Sequence, residues 1–260
     1  MLRKETGKII FLFYCSYLYK TTGRLKRILL YVLVLSGIFF QGLAQKEKVR
    51  YYQQVDKRLV HFGFTIGVNT MDFIVFHSNP PQNADSLYAN VNHLLPGFNV
   101  GIVSSFRVAK YLDMRFLPGL SFGQRDLYYY NYNQGTIYAR QKIESAFLEF
   151  PLIFKYKAKR INNFRPFVLA GLNYRLDMAS RRKYNPDKGK FVRLKQSDLY
   201  HEEGFGIDFY LPYFKLTAEL KVSTGFRNIL VTDPSPEHPE YVTALERLRS
   251  QIWILSFHFE

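Results

Sequence analysis

Cysteine is almost absent from this chain: of 260 residues only Cys15 carries a thiol. The remainder can form no disulfide and no thiolate metal site, so backbone bonding and packing must hold it together. Cys15 also lacks a preceding Leu-small-small run, which argues against a lipid-anchored N-terminus. Long apolar runs are missing too. The longest, Ile28–Phe40 (ILLYVLVLSGIFF), falls short of the roughly 20 residues a membrane-spanning helix needs. Tryptophan occurs once, and mean hydropathy is slightly negative at −0.17. The six histidines (His61, His77, His93, His201, His238, His258) show no metal-ligand spacing, so no metal site is expected.

What the chain has in abundance is Phe (24) and Tyr (20). Many aromatics without a long apolar run suit a membrane β-barrel, in which only alternate residues touch lipid. A soluble sandwich shares that alternation, so other features must separate the two.

The N-terminus supplies one. Lys26 and Arg27 precede the apolar run, and Gln41-Gly42-Leu43-Ala44 follows it. This order describes a secretory signal peptide over residues 1–44 with cleavage after Ala44, residues 1–25 being an atypical extension. An uncleaved anchor is the alternative. Residues 45–59 then form a polar periplasmic lead-in, and 60–260 the barrel. The net charge of +15 suggests nucleic acid at first sight, but residues 1–44 carry +6 of it, leaving +9. The remaining basic residues gather in apparent loops at Lys155–Arg165 and Arg181–Lys195, suited to lipid phosphates. No nucleic-acid motif accompanies them, and no such partner is expected.

Period-two alternation predicts eight strands. They are Val60–Val68, Phe98–Val108, Leu112–Phe122, Ser145–Tyr156, Pro166–Met178, Glu203–Tyr210, Phe214–Val222 and Gln251–Phe259. In the first, Val60, Phe62, Phe64, Ile66 and Val68 share one face. The connections alternate without exception between short (for example Ala109-Lys110-Tyr111 and Leu211-Pro212-Tyr213) and long (Phe76–Leu95, Gly123–Glu144, Ala179–Glu202, Thr224–Ser250). Transmembrane barrels sort their turns this way, tight in the periplasm and long outside. The expected fold is therefore an all-β, eight-stranded, antiparallel up-and-down barrel in the outer membrane. Its lumen would hold Asp113, Arg115, Glu149, Lys155, Asp208, Glu219 and Lys221, whose mixed charges pair rather than line an open pore.

Little suggests catalysis. Ser256 and His258 share a strand face, but two residues at i, i+2 lack the orienting acid of a triad. Glu202 and Glu203 alternate across a strand, point apart and read as solvated charge. The cluster Tyr128–Tyr130 with Tyr132 and Tyr138 has two readings: an aromatic girdle at the outer membrane boundary with a hairpin beyond it, or a stacking surface for glycan or a partner. Asp233–Glu240, with its three prolines, reads as an irregular external loop. No catalytic, cofactor-binding or metal residue is assigned, and no small-molecule substrate is expected.

Three stretches resemble the PorT family: His61–Phe73 (HFGFTIGVNTMDF), Leu148–Tyr156 (LEFPLIFKY) and Pro166–Gly171 (PFVLAG). The last two are shared widely among small outer-membrane barrels. The first, with Asn69-Thr70-Met71-Asp72-Phe73 after the opening strand, is more particular to PorT-like proteins. The resemblance covers roughly Val60 to Phe259. It implies a non-enzymatic part of the type IX (Por) secretion and gliding machinery, with outer-membrane lipid and other secretion components as partners. A generic small barrel of structural or adhesive role, or a lipid-modifying outer-membrane enzyme, are the competing expectations.

Overall fold

A computed structural model describes residues 51, 58–77, 87–131, 136–180, 192–231 and 240–260. The predicted signal peptide, most of the lead-in, Tyr132 and the Pro-rich segment up to Pro239 lie outside the described residues.

Ten strands and one short helix follow in order: β1 (Val60–His77), β2 (Leu87–Leu94), β3 (Pro96–Arg107), β4 (Leu112–Phe116), β5 (Gly119–Asn131), β6 (Ile137–Lys157), β7 (Phe164–Asp177), β8 (Ser197–Tyr210), β9 (Lys215–Gly225), α1 (Glu240–Thr243) and β10 (Leu245–Phe259). They make eight staves, because β2 and β3 run as one stave interrupted at Leu95. Likewise β4 and β5 are one stave broken at Leu117-Pro118, where proline cannot donate to a ladder. Every neighbouring pair is antiparallel, and β1 pairs with both β3 and β10, so the ring closes. Closure through β1–β3 and β1–β10 leaves no open edge in the lower ring, the condition for a sheet within hydrocarbon, while among the described residues β2 in the upper part pairs with β5 alone. The described helix is too short to cross a membrane; the strands do the crossing.

The register fixes the tilt. One row of cross-strand partners runs Thr70, Trp253, Val222, Glu203, Ala170, Phe154, Met114, Phe106 and returns to β1 at Val60. The row comes back ten residues lower than it began. With about 3.3 Å per residue and about 4.8 Å between strands, that stagger tilts the strands by roughly 40° from the barrel axis.

Burial in the lower part of the barrel is largely inside-out, apart from a small inward apolar cluster at Val103, Ile153, Phe167 and Leu169. On β1, Phe62 is 71% and Phe64 55% exposed, whereas His61, Thr65 and Asn69 are buried. The same inversion holds for Phe154 and Leu152 against Lys155 and Glu149 on β6. A soluble protein buries its apolar face, so this pattern identifies hydrocarbon as the solvent outside.

The predicted strands are present but too short, and the structure corrects four long loops. β1 continues nine residues past Val68, β2 occupies part of the predicted loop Phe76–Leu95, and β5 and β6 extend to Asn131 and back from Ile137. β8 begins at Ser197 and β10 at Leu245. In the extensions of β5, β6 and β10, and at Met71 and Phe73 of β1, the polarity reverts to that of a soluble barrel, whereas on β8 Asp198 and Glu202 stay inside and Leu199 outside. Phe73, Leu127, Tyr129, Ile143 and Leu248 form an internal apolar core, while Arg140, Lys142 and Glu144 face outward. Alternation therefore persists with the apolar face switched, which hides the continuation from any search for one consistent face.

The short turns are as predicted. The tightest is Asn162-Asn163, where Asn162 has φ 50°, a conformation Asn tolerates better than most residues. Tyr51 of the lead-in docks here, its N–H donating to Asn163 Oδ1 at 2.9 Å. Inside the barrel, Gly206 makes room for Phe167, whose ring carbon would lie 2.4 Å from an added Cβ.

Candidate functional site

The lower lumen is filled mainly by charge, beside a small apolar cluster of Val103, Leu117, Ile153, Phe167 and Leu169. Near the short-turn end, Lys157 pairs with Asp113 and Lys155 with Asp208, each at 2.6 Å. Thr217 also donates to Asp208 at 2.6 Å. Arg115 reaches Glu219 at 3.1 Å and also pairs with Glu260, which Lys215 holds from the other side. One layer up, Glu202 accepts from Asn173 (2.7 Å), Lys221 (2.9 Å), Arg175 (3.0 Å) and Ser223 (3.1 Å). Arg175 also lies 3.1 Å from Glu149. Arg115, Arg175, Lys155, Glu202, Glu219 and Asp208 are each no more than 1% exposed.

These groups come from β4, β6, β7, β8 and β9 and from Glu260 just after β10, so the network ties opposite walls together, as in Arg115 of β4 with Glu219 of β9. Its net stabilisation is modest, since desolvation offsets much of the attraction. Loss of one partner is costly, because the other charge is then buried and uncompensated. Above this layer, Arg125 donates to Ser145 and Ser250 at 2.7 Å each and lies over the Phe73 ring at 4.0 Å. It forms the boundary between the polar lumen and the apolar core of the extension.

That core closes the upper mouth. Val192, Ile229, Leu230, Tyr241 and Val242, from the connections flanking β8–β9 and from α1, pack onto Leu127, Tyr129 and Leu248. Gln141 fastens Val192 by two 2.8 Å bonds to its N–H and C=O. Asn228 Oδ1 accepts from the N–H groups of Leu230 (3.1 Å) and Leu248 (3.0 Å). Among the described residues, paired charge below and apolar side chains above fill the lumen.

The seven predicted lumen residues all face inward and all are buried. The reading of Lys155–Arg165 as a basic loop is corrected in part: Lys155 and Lys157 are on β6 and neutralised inside the barrel. Glu202 and Glu203 do point apart, but solvated charge is wrong for Glu202, which is the hub of the network. The hairpin expected beyond the tyrosine cluster is present as β5–β6, but Tyr128 and Tyr129 do not form a girdle at the boundary, and Tyr132 lies outside the described residues. Tyr129 points inward onto Tyr241 (ring centroids 4.8 Å apart), and Tyr128 lies beneath Arg140. Along β5 and β6 the outward Gln124, Lys142 and Glu144 separate these tyrosines from the apolar band. Arg175, Glu202, Lys157, Lys215 and Glu260 are the members that sequence reasoning did not list. Their inward parity on the strands was the available signal.

Ser256 and His258 are both walled inside the lumen. His258 Nε2 lies 3.1 Å from Glu219, and Ser256 accepts from Asn99 at 3.3 Å. The cavity beside them measures about 20 Å³, space for about one water and none for a lipid. Among the described residues no group of three His, Cys, Asp or Glu could hold a metal.

A closed, tilted, eight-stave barrel with an apolar exterior and a filled bore is an integral membrane β-barrel. Residues 43–231 match the family model described as the outer membrane protein beta-barrel domain, and the chain belongs to that family. It is accordingly an outer-membrane protein, its short turns periplasmic and its extensions external. No curated protein matches the sequence. Among solved structures it is similar to OprG of Pseudomonas aeruginosa (11% identity, TM-score 0.45, covering 76% of this chain and 93% of that one). It is also similar to the Escherichia coli outer membrane protease OmpT (10%, 0.40, 77% and 94%) and to Neisserial surface protein A (13%, 0.39, 76% and 97%). At these scores none of the three bears on function.

Proposed function

We propose that this protein is a non-enzymatic, integral outer-membrane component of the type IX (Por) secretion and gliding machinery, acting in assembly or docking of the apparatus. The observation that carries the reading is the sealed bore. Among the described residues the lumen is filled by ion pairs and capped by an apolar core, which favours the barrel's surfaces as the working parts. The resemblance of His61–Phe73 to PorT-like proteins supplies the identity of the machine. Entry to the outer membrane would follow from cleavage of residues 1–44 as a signal peptide. A lipid-hydrolysing role has only Ser256 and His258 to rest on, and both are shut away from lipid.

The test is a clean deletion in the native bacterium, with assay of the culture medium for type IX cargo. Cargo retained by the deletion strain and exported again on complementation supports the proposal. Unchanged export removes it. A second reading, a barrel of structural or adhesive role, draws on the long external extensions with outward Arg140, Lys142, Arg247 and Arg249. It predicts intact secretion with altered envelope integrity or surface attachment.

A further inference from the structure

The outer wall carries one charge where lipid offers nothing to meet it. Glu203 is exposed on the exterior of β8, in the row that begins at Thr70 on β1. It sits three strand steps round a ring of eight, along which the row falls ten residues. Glu203 is therefore about four residues below Thr70 in height, level with Ile66. On β1 the outward apolar run extends from Val60 to Val68, and the first outward charge is Asp72. Glu203 thus stands near the middle of the apolar band rather than at its rim. On the other staves the outward positions at that height include Leu255, Leu220, Leu152 and Ile102, all apolar. Among the described residues no other outward charge lies within the band, and no ion pair or hydrogen bond is made by Glu203.

The wall around it is concave. Val168, Phe205, Leu220, Val222 and Trp253 border a notch of about 350 Å³ that opens outward beside the carboxylate. The small Ala170 is its cross-strand neighbour on β7 and lets another molecule approach the backbone closely. Just above, His201 faces the same way with an unpartnered Nδ1. An ionisable side chain within a bilayer is costly unless it is paired, and acyl chains cannot pair it.

We propose that this notch docks a second, different membrane protein, which presents a Lys or Arg side chain to Glu203 at mid-bilayer depth. Charge complementarity selects this occupant. A second copy of this chain would offer only the His201 imidazole, whose Nδ1 is buried, and no Lys or Arg within the described band, so it matches Glu203 less well than a Lys- or Arg-bearing partner. A lipid headgroup is excluded by depth. The inference names the partner chemistry for the docking role proposed above and rests on that reading only for which machine the partner belongs to.

The experiment places the photo-cross-linker p-benzoylphenylalanine at Phe205 in the native bacterium, alone and with Glu203→Asp, Glu203→Gln, Glu203→Leu or Glu203→Lys. Heat-modifiable migration on gels checks that each variant folds. The expected result is a protein adduct whose cross-linked membrane segment contains a Lys or Arg. Its yield should survive Glu203→Asp and fall about tenfold or more with Gln, Leu or Lys, the change that about 1.4 kcal/mol produces. With Glu203→Lys, mutation of the partner's cation to Glu should restore it. Adducts indifferent to Glu203, or formed only with lipid or a second copy, overturn the proposal. A charge-dependent adduct together with unchanged export on deletion of this protein upholds the notch and removes the secretion reading. Blocked export on deletion, with no charge-dependent adduct, does the reverse.

Discussion

Glu202 is the residue on which the lumen turns, because one carboxylate there satisfies Asn173, Arg175, Lys221 and Ser223 at once. Removing it as Glu202→Ala leaves two buried cations in a space that excludes bulk water. Unfolding in urea from lipid vesicles should show a loss of about 3–5 kcal/mol, the scale for breaking a buried pair. A loss below about 1 kcal/mol would mean that water already screens the site and that the bore is wetter than its geometry implies. Leu248, fully buried in the external core, tests the other zone. Leu248→Ala should cost about 2–5 kcal/mol through lost contact and the cavity left behind. Because its surroundings stand outside the membrane, that loss should appear as faster protease nicking of the external connections while the membrane-embedded part stays folded. Simultaneous loss of both parts would show one cooperative unit instead of two zones.

Strands β5, β6 and β10 change which of their faces is apolar as they leave the membrane, and β1 does so in part, which explains what could be read from the sequence. Val60–Val68 was legible because five apolar residues alternate with small or polar ones on a single face. Its continuation was not, because from Met71 to Val75 the buried side chains are apolar and the outward set begins with Asp72. A period-two reading keyed to one apolar face stops there, which is why four predicted loops proved to be partly strand. The lumen charges were legible from parity once the strands were in hand. The Glu202 hub was not, because its neighbour Glu203 made the pair look like exposed acid. The face switch predicts a matched contrast. Ile66→Arg, on the outer wall in the apolar band, should destabilise by about 2–4 kcal/mol. Ile137→Arg, exposed at the external end of β6, should change stability by no more than about 0.5 kcal/mol. Equal penalties at the two positions would place the membrane boundary elsewhere.

The barrel as a whole has two independent seals, and their independence makes the closed bore testable. Eight strands with a stagger of ten enclose an interior only about wide enough for side chains, and here the lower half is occupied by ionised ones. A polar lumen alone could wet and leak if its pairs exchanged partners. Above it, the apolar core pinned by Gln141 and Asn228 should exclude water without relying on charge. Purified barrel inserted in planar bilayers should therefore show no stepwise conductance. Glu202→Ala should not create any, since the upper seal remains. Shortening the connection between β9 and β10 so that α1 is lost removes Tyr241 and Val242 from the cap but leaves the ion pairs in place. That variant should admit water to the upper lumen, seen as faster hydrogen exchange at Arg125 and Ser250, and still carry no steady current. Stable open steps in the unmodified protein would show that charge and core together do not close the bore, and would turn the search for its function from its surfaces back to its interior.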